Sequence, residues 1–346
     1  MGGLTRHRAW SVGELETGQT KFRPSHGRDV QVIAHGGAGS PAEEPDDRAA
    51  VLTEAVDCGA EQSTPLSAVA ATVRVMEVDP RFNAGIGGAV QSDGVPRTDA
   101  GVMCGDGRTG AAAAMPGVAH AVDVARAVAT ETPHVMLAGE RAVAFADSVG
   151  VETGVDLWSE HSRERWADPP GCDGTVGGAA DIDAQLSWVR ERFGGDGKSP
   201  DGDGSDTVSD GNADAAARTA QPRDHDTVGA VATDGESFAA VTSTGGRSFA
   251  LAGRVGDVPQ VGSGFFCTEA GGASATGAGE DIARVTLSRR AVDFLDDGLD
   301  AQAAADRAIA EFEAVTGSGA GVIVLGDETA GSAFNTEGMQ TSVAQE

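Results

Sequence analysis

The run His225-Asp226-Thr227-Val228-Gly229-Ala230-Val231 ends a segment rich in Gly, Asp and Ser and opens an apolar, β-branched stretch. A threonine at such a junction becomes a chain terminus if the backbone is cut before it. Its free α-amino group then sits on the same residue as its hydroxyl, so base and nucleophile come as one unit. An α-amino group has an unperturbed pKa of roughly 7.7–8.0, close to a working pH, and takes the hydroxyl proton without much tuning. The plainer reading is that Asp226-Thr227 starts a strand, and the heptapeptide alone favours it.

Other stretches supply the remaining parts of an amide hydrolase. Thr244, in Val241-Thr242-Ser243-Thr244-Gly245-Gly246, follows Thr227 at a spacing that suits a tight hairpin with both threonines on neighbouring strands. Arg254 and Asp257, in Gly253-Arg254-Val255-Gly256-Asp257, fit the two ends of an amino-acid head group, a carboxylate on Arg and an ammonium on Asp. Spacing alone fits an ordinary surface ion pair equally well. Ala275-Thr276-Gly277-Ala278-Gly279-Glu280 reads either as a glycine-rich turn before a helix or as a hydroxyl and backbone N–H set for an oxyanion. Upstream stand His35-Gly36-Gly37-Ala38-Gly39 and Phe82-Asn83-Ala84-Gly85-Ile86-Gly87.

Six motifs in this order, from about Gln31 to Val324, resemble the plant-type L-asparaginase / isoaspartyl peptidase family of N-terminal-nucleophile hydrolases. Aspartylglucosaminidase and the taspase proteases are relatives. The resemblance implies a four-layer αββα sandwich, an α+β fold made as one precursor and self-cut between Asp226 and Thr227. It implies Thr227 as nucleophile, with Thr244 tuning its amine and Asn83 supporting it. Thr276 and Gly277 would form the oxyanion hole, and Arg254, Asp257, Thr276, Gly277 and Gly279 would bind substrate. Ala278 departs from the polar residue many relatives carry there, which touches specificity rather than chemistry. The backbone carbonyls of Met76, Glu77, Asp79, Phe82, Ala84 and Ile86 would wrap a structural Na+ or K+, with no cofactor for catalysis.

The implied reaction is hydrolysis of L-asparagine to aspartate and ammonia, or of β-aspartyl dipeptides, by a homodimer of αβ units. Glycosylasparaginase activity is the rival within the class, since His225-Asp226-Thr227 fits it too. Ser243-Thr244-Gly245-Gly246 leans away from that branch. An uncleaved, inactive homologue serving as a binding protein is the rival from another class.

Two other glycine patterns carry no chemistry. Gly105-x-Gly107-x-x-Gly110 follows irregular acidic chain and opens no helix, unlike a dinucleotide fingerprint. Gly197-Lys198-Ser199 ends like a P-loop, but Arg192 stands at the first glycine position. Cys58, Cys104, Cys172 and Cys267 are scattered without C-x-x-C or a paired His, so isolated buried thiols are expected rather than disulfides or zinc.

The chain has 346 residues and a net charge of −28, from 53 acidic against 25 basic residues, and its only lysines are Lys21 and Lys198. Such a surface repels nucleic acid and anionic membranes, which need clustered Lys and Arg. No apolar leader and no run long enough to span a bilayer is visible, so a cytoplasmic location is expected. With 40% apolar residues the chain has enough for a core despite its charge.

The elements that must position these residues are legible in part. Residues 1–29 are polar and aperiodic and read as an extension outside the fold. One hydrolase domain is expected from 30–193 and 227–346. The 194–226 segment between them buries too little to offset its ordering entropy and is expected to be mobile. Val30 to Ala34 reads as a strand running into a glycine-rich turn. Helices are predicted from Asp46 to about Gly59, after the Thr64-Pro65 cap, and at 120–130, 138–148, 181–193, 280–297 and 301–316. Strands are predicted near 98–104, 111–115, 227–233, 238–243, 261–266 and 321–325.

The charge itself generates a test. Repulsion between carboxylates grows with the screening length, roughly 3 Å at 1 M ionic strength and 30 Å at 0.01 M. Melting temperature should rise steeply with KCl or NaCl into the molar range. The acidic excess, with Arg in place of Lys and no Tyr, suggests a salt-rich cytoplasm, and a melting temperature that stays flat from dilute buffer to molar salt would contradict that reading.

Overall fold

The computed structural model describes residues 20–21, 30–41, 44–167, 182–193, 227–327 and 329–345. Two β-sheets with packed helices make up the protein, a mixed α+β architecture.

The seven-stranded sheet runs β12 (Gly338–Gln345), β2 (Gln31–Gly39), β6 (Val228–Thr233), β7 (Phe238–Thr244), β3 (Arg97–Cys104), β4 (Thr109–Pro116) and β5 (Met136–Ala138). The five-stranded sheet runs β1 (Thr20–Lys21), β11 (Thr329–Phe334), β10 (Ala320–Gly326), β9 (Gly271–Gly277) and β8 (Phe265–Thr268). Helices α1 (Pro45–Ala60), α2 (Pro65–Glu77) and α3 (Ala121–Glu131) lie on the larger sheet, with α4 (Gly139–Ser148) beside β4. Between β5 and β6 come α4, α5 (Glu160–Ala167) and α6 (Ile182–Phe193). After β9 come α7 (Gly279–Val285), α8 (Leu287–Asp296) and α9 (Ala301–Thr316), and the last two cover the smaller sheet.

Strand alternation sorts the side chains. Val32, Ala34, Val228, Ala230 and Val241 join the core under the helices of the larger sheet, while Ala273, Ala275, Val322 and Val324 pack under α8 and α9. The opposite faces meet each other through Ile33, Val231, Phe238, Ala240, Phe265, Ile323 and Leu325. Because side chains alternate with period two, residues 227, 229 and 231 share that inter-sheet face, as do 240, 242 and 244, and 272, 274 and 276.

The sequence reading holds for most of the chain. Thr64 caps α2, its side chain accepting from Ser67 N, with Pro65 at the first helical position. Strands β5, β9, β11 and β12 and helix α5 fall where no element is predicted, and three predicted elements differ. The glycine-rich run after Ala34 does not turn; β2 continues through His35–Gly39 because β12 pairs along it. The strand placed near 261–266 lies at Phe265–Thr268, where it pairs with Gly271–Ser274, and residues 257–264 form turns before it. The helix expected over 280–297 breaks at Thr286, whose φ of 54° is left-handed. The 105–110 glycines form the turn and first residues of the β3–β4 hairpin and open no helix.

Of the 1–29 extension, Thr20–Lys21 pairs with Thr329–Ala330 at the edge of the smaller sheet, and the 194–226 segment lies outside the described residues. Cys58, Cys104 and Cys267 are free thiols, Cys58 half-buried and the others buried; Cys172 lies outside the described residues. Among the described residues no helix is long and apolar enough to cross a membrane.

At Gly229 the larger sheet packs tightly on polar side chains. A Cβ there would stand 2.0 Å from Ser274 Oγ and 2.5 Å from His35 Nε2. Gly229→Ala should therefore lower stability by about 1–3 kcal/mol through overpacking, read as a drop in melting temperature. An unchanged melting temperature would show that the sheets are not held at this spacing.

Candidate active site

The β6–β7 hairpin brings the two threonines together. Its turn is held by Asp234 Oδ1, which accepts from Ser237 N at 2.8 Å and Glu236 N at 3.1 Å, with Gly235 at a φ of 83°. The register pairs Val228 with Ser243, so Thr227 stands opposite Thr244. Thr227 Oγ1 donates to Thr244 Oγ1 at 3.1 Å, and Thr244 Oγ1 also accepts from Gly246 N at 3.0 Å. Both residues are buried, Thr227 with 8% of its surface exposed. The partner of Thr244 in the uncut chain is thus the hydroxyl of Thr227.

Asn83 sits one step behind. Its Nδ2 donates to Gly246 O at 2.7 Å, its Oδ1 accepts from Ala89 N at 2.8 Å, and its backbone carbonyl accepts from Gly245 N at 2.9 Å. It bonds the Gly245-Gly246 backbone that follows Thr244. From the helix side, buried Glu77 Oε1 accepts from Ser243 Oγ at 2.6 Å and Val122 N at 3.0 Å, tying the end of β7 to α2 and α3. Burial raises the Glu77 carboxyl above the usual carboxylate range, against the opposing pull of His120, Ser243 and Val122 N.

Thr276 and Gly277 end β9 and are paired with Gly321 and Ala320; they belong to a strand, not a turn. Thr276 is fully buried on the inter-sheet face that Thr227 and Thr244 also occupy. Gly277 needs its glycine: its φ is 137°, and a Cβ would meet Ala320 Cα at 2.6 Å.

Arg254 and Asp257 lie together. Arg254 Nε donates to Glu280 Oε1 at 2.9 Å. A Cβ on Gly279 would stand 2.6 Å from Asp257 Oδ1 and 2.9 Å from an Arg254 amino nitrogen, so Gly279 is small because both ends of the clamp crowd it. Asp257 is 6% exposed and its Oδ2 has no hydrogen-bond partner among the described residues. Burial drives its pKa up to about 7, with Arg254 pulling the other way and Glu280 and Asp99 adding to the rise. A buried carboxylate oxygen without a donor is costly, and an incoming ammonium would satisfy it.

Two features lie outside the sequence-based list of site residues. Asp99, opposite Thr244 in the β3–β7 register, is buried with its pKa raised by burial to about 6, and Arg254 opposes that rise. An Asp that leads directly into the run Ala100–Cys104 is the signal that points to it. His35 Nε2 shares a hydrogen bond with Ser274 Oγ at 2.9 Å, and Ser274 Oγ contacts Thr242 Oγ1 at 2.6 Å. Burial drives His35 down to about 3, with a smaller contrary pull from the Thr227 backbone, so the ring is neutral. This chain crosses from one sheet to the other level with Gly229, two residues along β6 from Thr227.

The loop Met76–Ile86 folds back through Ile86 N to Glu77 O at 2.8 Å, Phe82 N to Asp79 O at 3.2 Å and Asp79 N to Met76 O at 3.3 Å. Gly85, at a φ of 52°, would place a Cβ 2.0 Å from Glu77 O and 2.7 Å from Ala119 O, so carbonyl oxygens crowd its open side.

The sequence is similar to those of known proteins. The family model described as asparaginase matches residues 28–346, and the chain belongs to that family. It is 36% identical over 288 residues to the plant-type L-asparaginase of Pyrococcus furiosus, covering 81% of this chain and 84% of that one. It is 37% identical over 288 residues to the plant-type L-asparaginase of Pyrobaculum calidifontis, covering 80% and 84%. With the isoaspartyl peptidase/L-asparaginase of Danio rerio it shares 32% over 328 residues, 91% of this chain and 92% of the other.

The clamp has a pH dependence of known sign. Below about 7 Asp257 carries a proton and loses its attraction for an ammonium; above it the ion pair forms. Affinity for L-aspartate, measured by calorimetry on the purified protein, should weaken as pH falls through about 7. Asp257→Asn should weaken binding about tenfold or more and abolish that dependence. A wild-type affinity flat from pH 5 to 8 would remove Asp257 from the clamp.

Proposed function

We propose that the chain is a threonine N-terminal-nucleophile amidohydrolase that cleaves the side-chain amide of L-asparagine or of β-aspartyl dipeptides. The observation that carries this reading is the Thr227–Thr244 hydroxyl pair at 3.1 Å, on the inter-sheet face that Thr276 also occupies. The orphaned Asp257 oxygen beside Arg254 supports an amino-acid head group as the ligand. The relatives' names support the substrate class.

In this reading the fold is the four-layer αββα sandwich of that hydrolase type, one domain formed by residues 30–193 and 227–346. Maturation begins when Thr227 Oγ attacks the Asp226 carbonyl carbon. The C–N bond breaks as the ester forms, the amine is freed, and water hydrolyses the ester to restore the hydroxyl and leave Asp226 as a carboxylate. In turnover the free amine takes the Oγ proton while Oγ bonds the substrate's side-chain carbonyl carbon. Thr276 and the Gly277 N–H hold the oxyanion, where one such donor is worth about 10²–10³ in rate. The leaving amine departs with the proton, and water then releases aspartate from the ester.

Two αβ units pair in the working enzyme, which acts in a salt-rich cytoplasm. The crowded carbonyls at Gly85 fit a monovalent cation, with Met76, Glu77, Asp79, Phe82, Ala84 and Ile86 as backbone donors of a structural role only. No catalytic step uses it.

Purified protein in high salt should run as two bands, with the smaller beginning Thr-Val-Gly-Ala. Thr227→Ala should remain one chain and lose asparagine hydrolysis. A Thr227→Ala protein that still splits and turns over asparagine would show that the nucleophile lies elsewhere.

A further inference from the structure

The turn that carries Arg254 is held by side chains from a distant part of the sequence. Residues 250–254 form no strand, and Arg254 N donates to Leu251 O at 2.8 Å to close a tight turn. Gly253, the third residue of that turn, has a φ of 87°, a conformation that suits glycine there. Gln91 pins the turn from the side. Its Oε1 accepts from Gly253 N at 2.8 Å and its Nε2 donates to Arg254 O at 2.9 Å. One side-chain amide thus bonds two consecutive residues of backbone, as a neighbouring strand would. Ser92 adds a third bond, its Oγ accepting from Ala252 N at 3.0 Å.

Gln91 is itself rigidly placed. It is 2% exposed, and Gly94 N donates to its carbonyl at 2.9 Å to close the turn ahead of β3. Arg97 Nη1 donates to Gln91 Oε1 at 2.8 Å, so two donors fix which end of the carboxamide is oxygen. Arg97 is anchored in turn on both oxygens of Asp93, at 2.6 and 3.0 Å. We propose that Gln91 is a positioning residue for substrate binding, fixing the Gly253-Arg254 backbone so that the Arg254 guanidinium meets the α-carboxylate of the aspartyl head group; this rests on the amide-hydrolysis reading above. Arg254 needs a fixed base because Glu280 Oε1 already accepts from its Nε at 2.9 Å and competes with any incoming carboxylate. Its amino nitrogens are confined as well: a Cβ on Gly256 or Gly279 would come within 2.9 Å of one of them. Close packing sets the tip of the side chain, and Gln91 sets its root.

Binding and chemistry are separable here. The Gln91 amide bonds the clamp turn and not the Thr227–Thr244 pair. Its loss weakens the hold on the head group equally in ground and transition states, which raises KM and leaves kcat. Self-cleavage uses no head group and is spared. Gln91 precedes the proposed cut and Arg254 follows it, so in the two-chain protein these bonds run from one chain to the other.

The test uses the purified enzyme in high salt with L-asparagine and β-aspartyl-leucine. Gln91→Leu, which removes both bonds at similar volume, should still run as two bands. It should raise KM for both substrates about tenfold, the scale of one or two lost hydrogen bonds, and change kcat less than about twofold. L-Aspartate affinity by calorimetry should fall by the same factor. In an Arg254→Ala background, Gln91→Leu should lower kcat/KM less than about twofold further, because its effect passes through Arg254. If Gln91→Leu does not fold, Gln91→Met, unbranched and of similar length, replaces it. A wild-type KM in the variant would overturn the assignment, as would a loss confined to one substrate. An equal loss with and without the Arg254 side chain, or failure of both variants to fold, would make Gln91 a purely structural residue and overturn it too. A wild-type enzyme that hydrolyses neither substrate would overturn the amide-hydrolysis reading itself, whatever the variants do.

Discussion

Everything at the site depends on one geometric constraint: the faces of the two sheets that meet each other must carry both a dry core and a polar cluster. Strand alternation leaves no choice, because Thr227 shares a face with Val231, Thr244 with Ala240, and Thr276 with Ser274. Apolar contacts such as Val231 and Phe265 fill the middle, and hydroxyls gather toward one end. Burying a hydroxyl there is unfavourable unless it is bonded. The bonds are present: Thr227 to Thr244, and Thr242 to both Ser274 and Gly264 O at 2.7 Å. Glycines make the room. Gly229 admits the His35 and Ser274 side chains, and Gly101 leaves space for the Phe265 ring, which a Cβ would meet at 2.0 Å.

The clamp is governed by a different balance. Arg254 is flanked by three carboxylates, with Glu280 in direct contact and Asp257 and Asp99 acting through charge. Glu280, the most exposed, stays ionised because its hydrogen bond and charge interaction with Arg254 outweigh burial. Asp257 and Asp99 are fully enclosed, and desolvation raises both. One cation cannot neutralise three anions in a low-dielectric site, so the deeper carboxyls bear the cost as raised pKa values. An ammonium brought to Asp257 would supply the cation that this cluster lacks, while a carboxylate on Arg254 would compete with Glu280. Selectivity for a head group that bears an ammonium then follows from charge balance as well as from shape.

The legible and illegible parts of the sequence divide along physical lines. The β6–β7 hairpin, the Thr64-Pro65 cap and the α9 boundaries were legible because each rests on local chemistry: a turn, a hydrogen-bonding hydroxyl, a periodic apolar face. The break at Thr286 was not, because nothing in Arg284-Val285-Thr286-Leu287 disfavours helix. Arg289 N donates instead to Gly262 O at 2.8 Å, a tertiary contact that starts a new helix there. The strand Gly271–Gly277 was missed for the opposite reason. Its Gly, Ala and Ser residues have poor strand propensity, and it exists because β8 and β10 pair on either side of it. Among site residues, Thr227, Thr244, Arg254 and Asp257 stood out by motif. Asp99 did not, since its role appears only once β3 lies beside β7.

The topology also bears on why a backbone cut can be tolerated. The β6–β7 hairpin, which follows the proposed cut, lies between β2 and β3, which both precede it. Strand β12, near the end of the chain, pairs with the opposite edge of β2. The two segments are therefore interleaved within one sheet, and separating them would break ladders on both sides of the hairpin and on β12. A cut before Thr227, the residue that precedes β6, would remove no strand pairing among the described residues, since the register begins at Val228. It frees an amine at the one place where the neighbouring hydroxyl is already held against Thr244. The position of Thr227 is set by the sheet, so the proposed cleavage would change the chemistry of Thr227 while leaving its geometry in place.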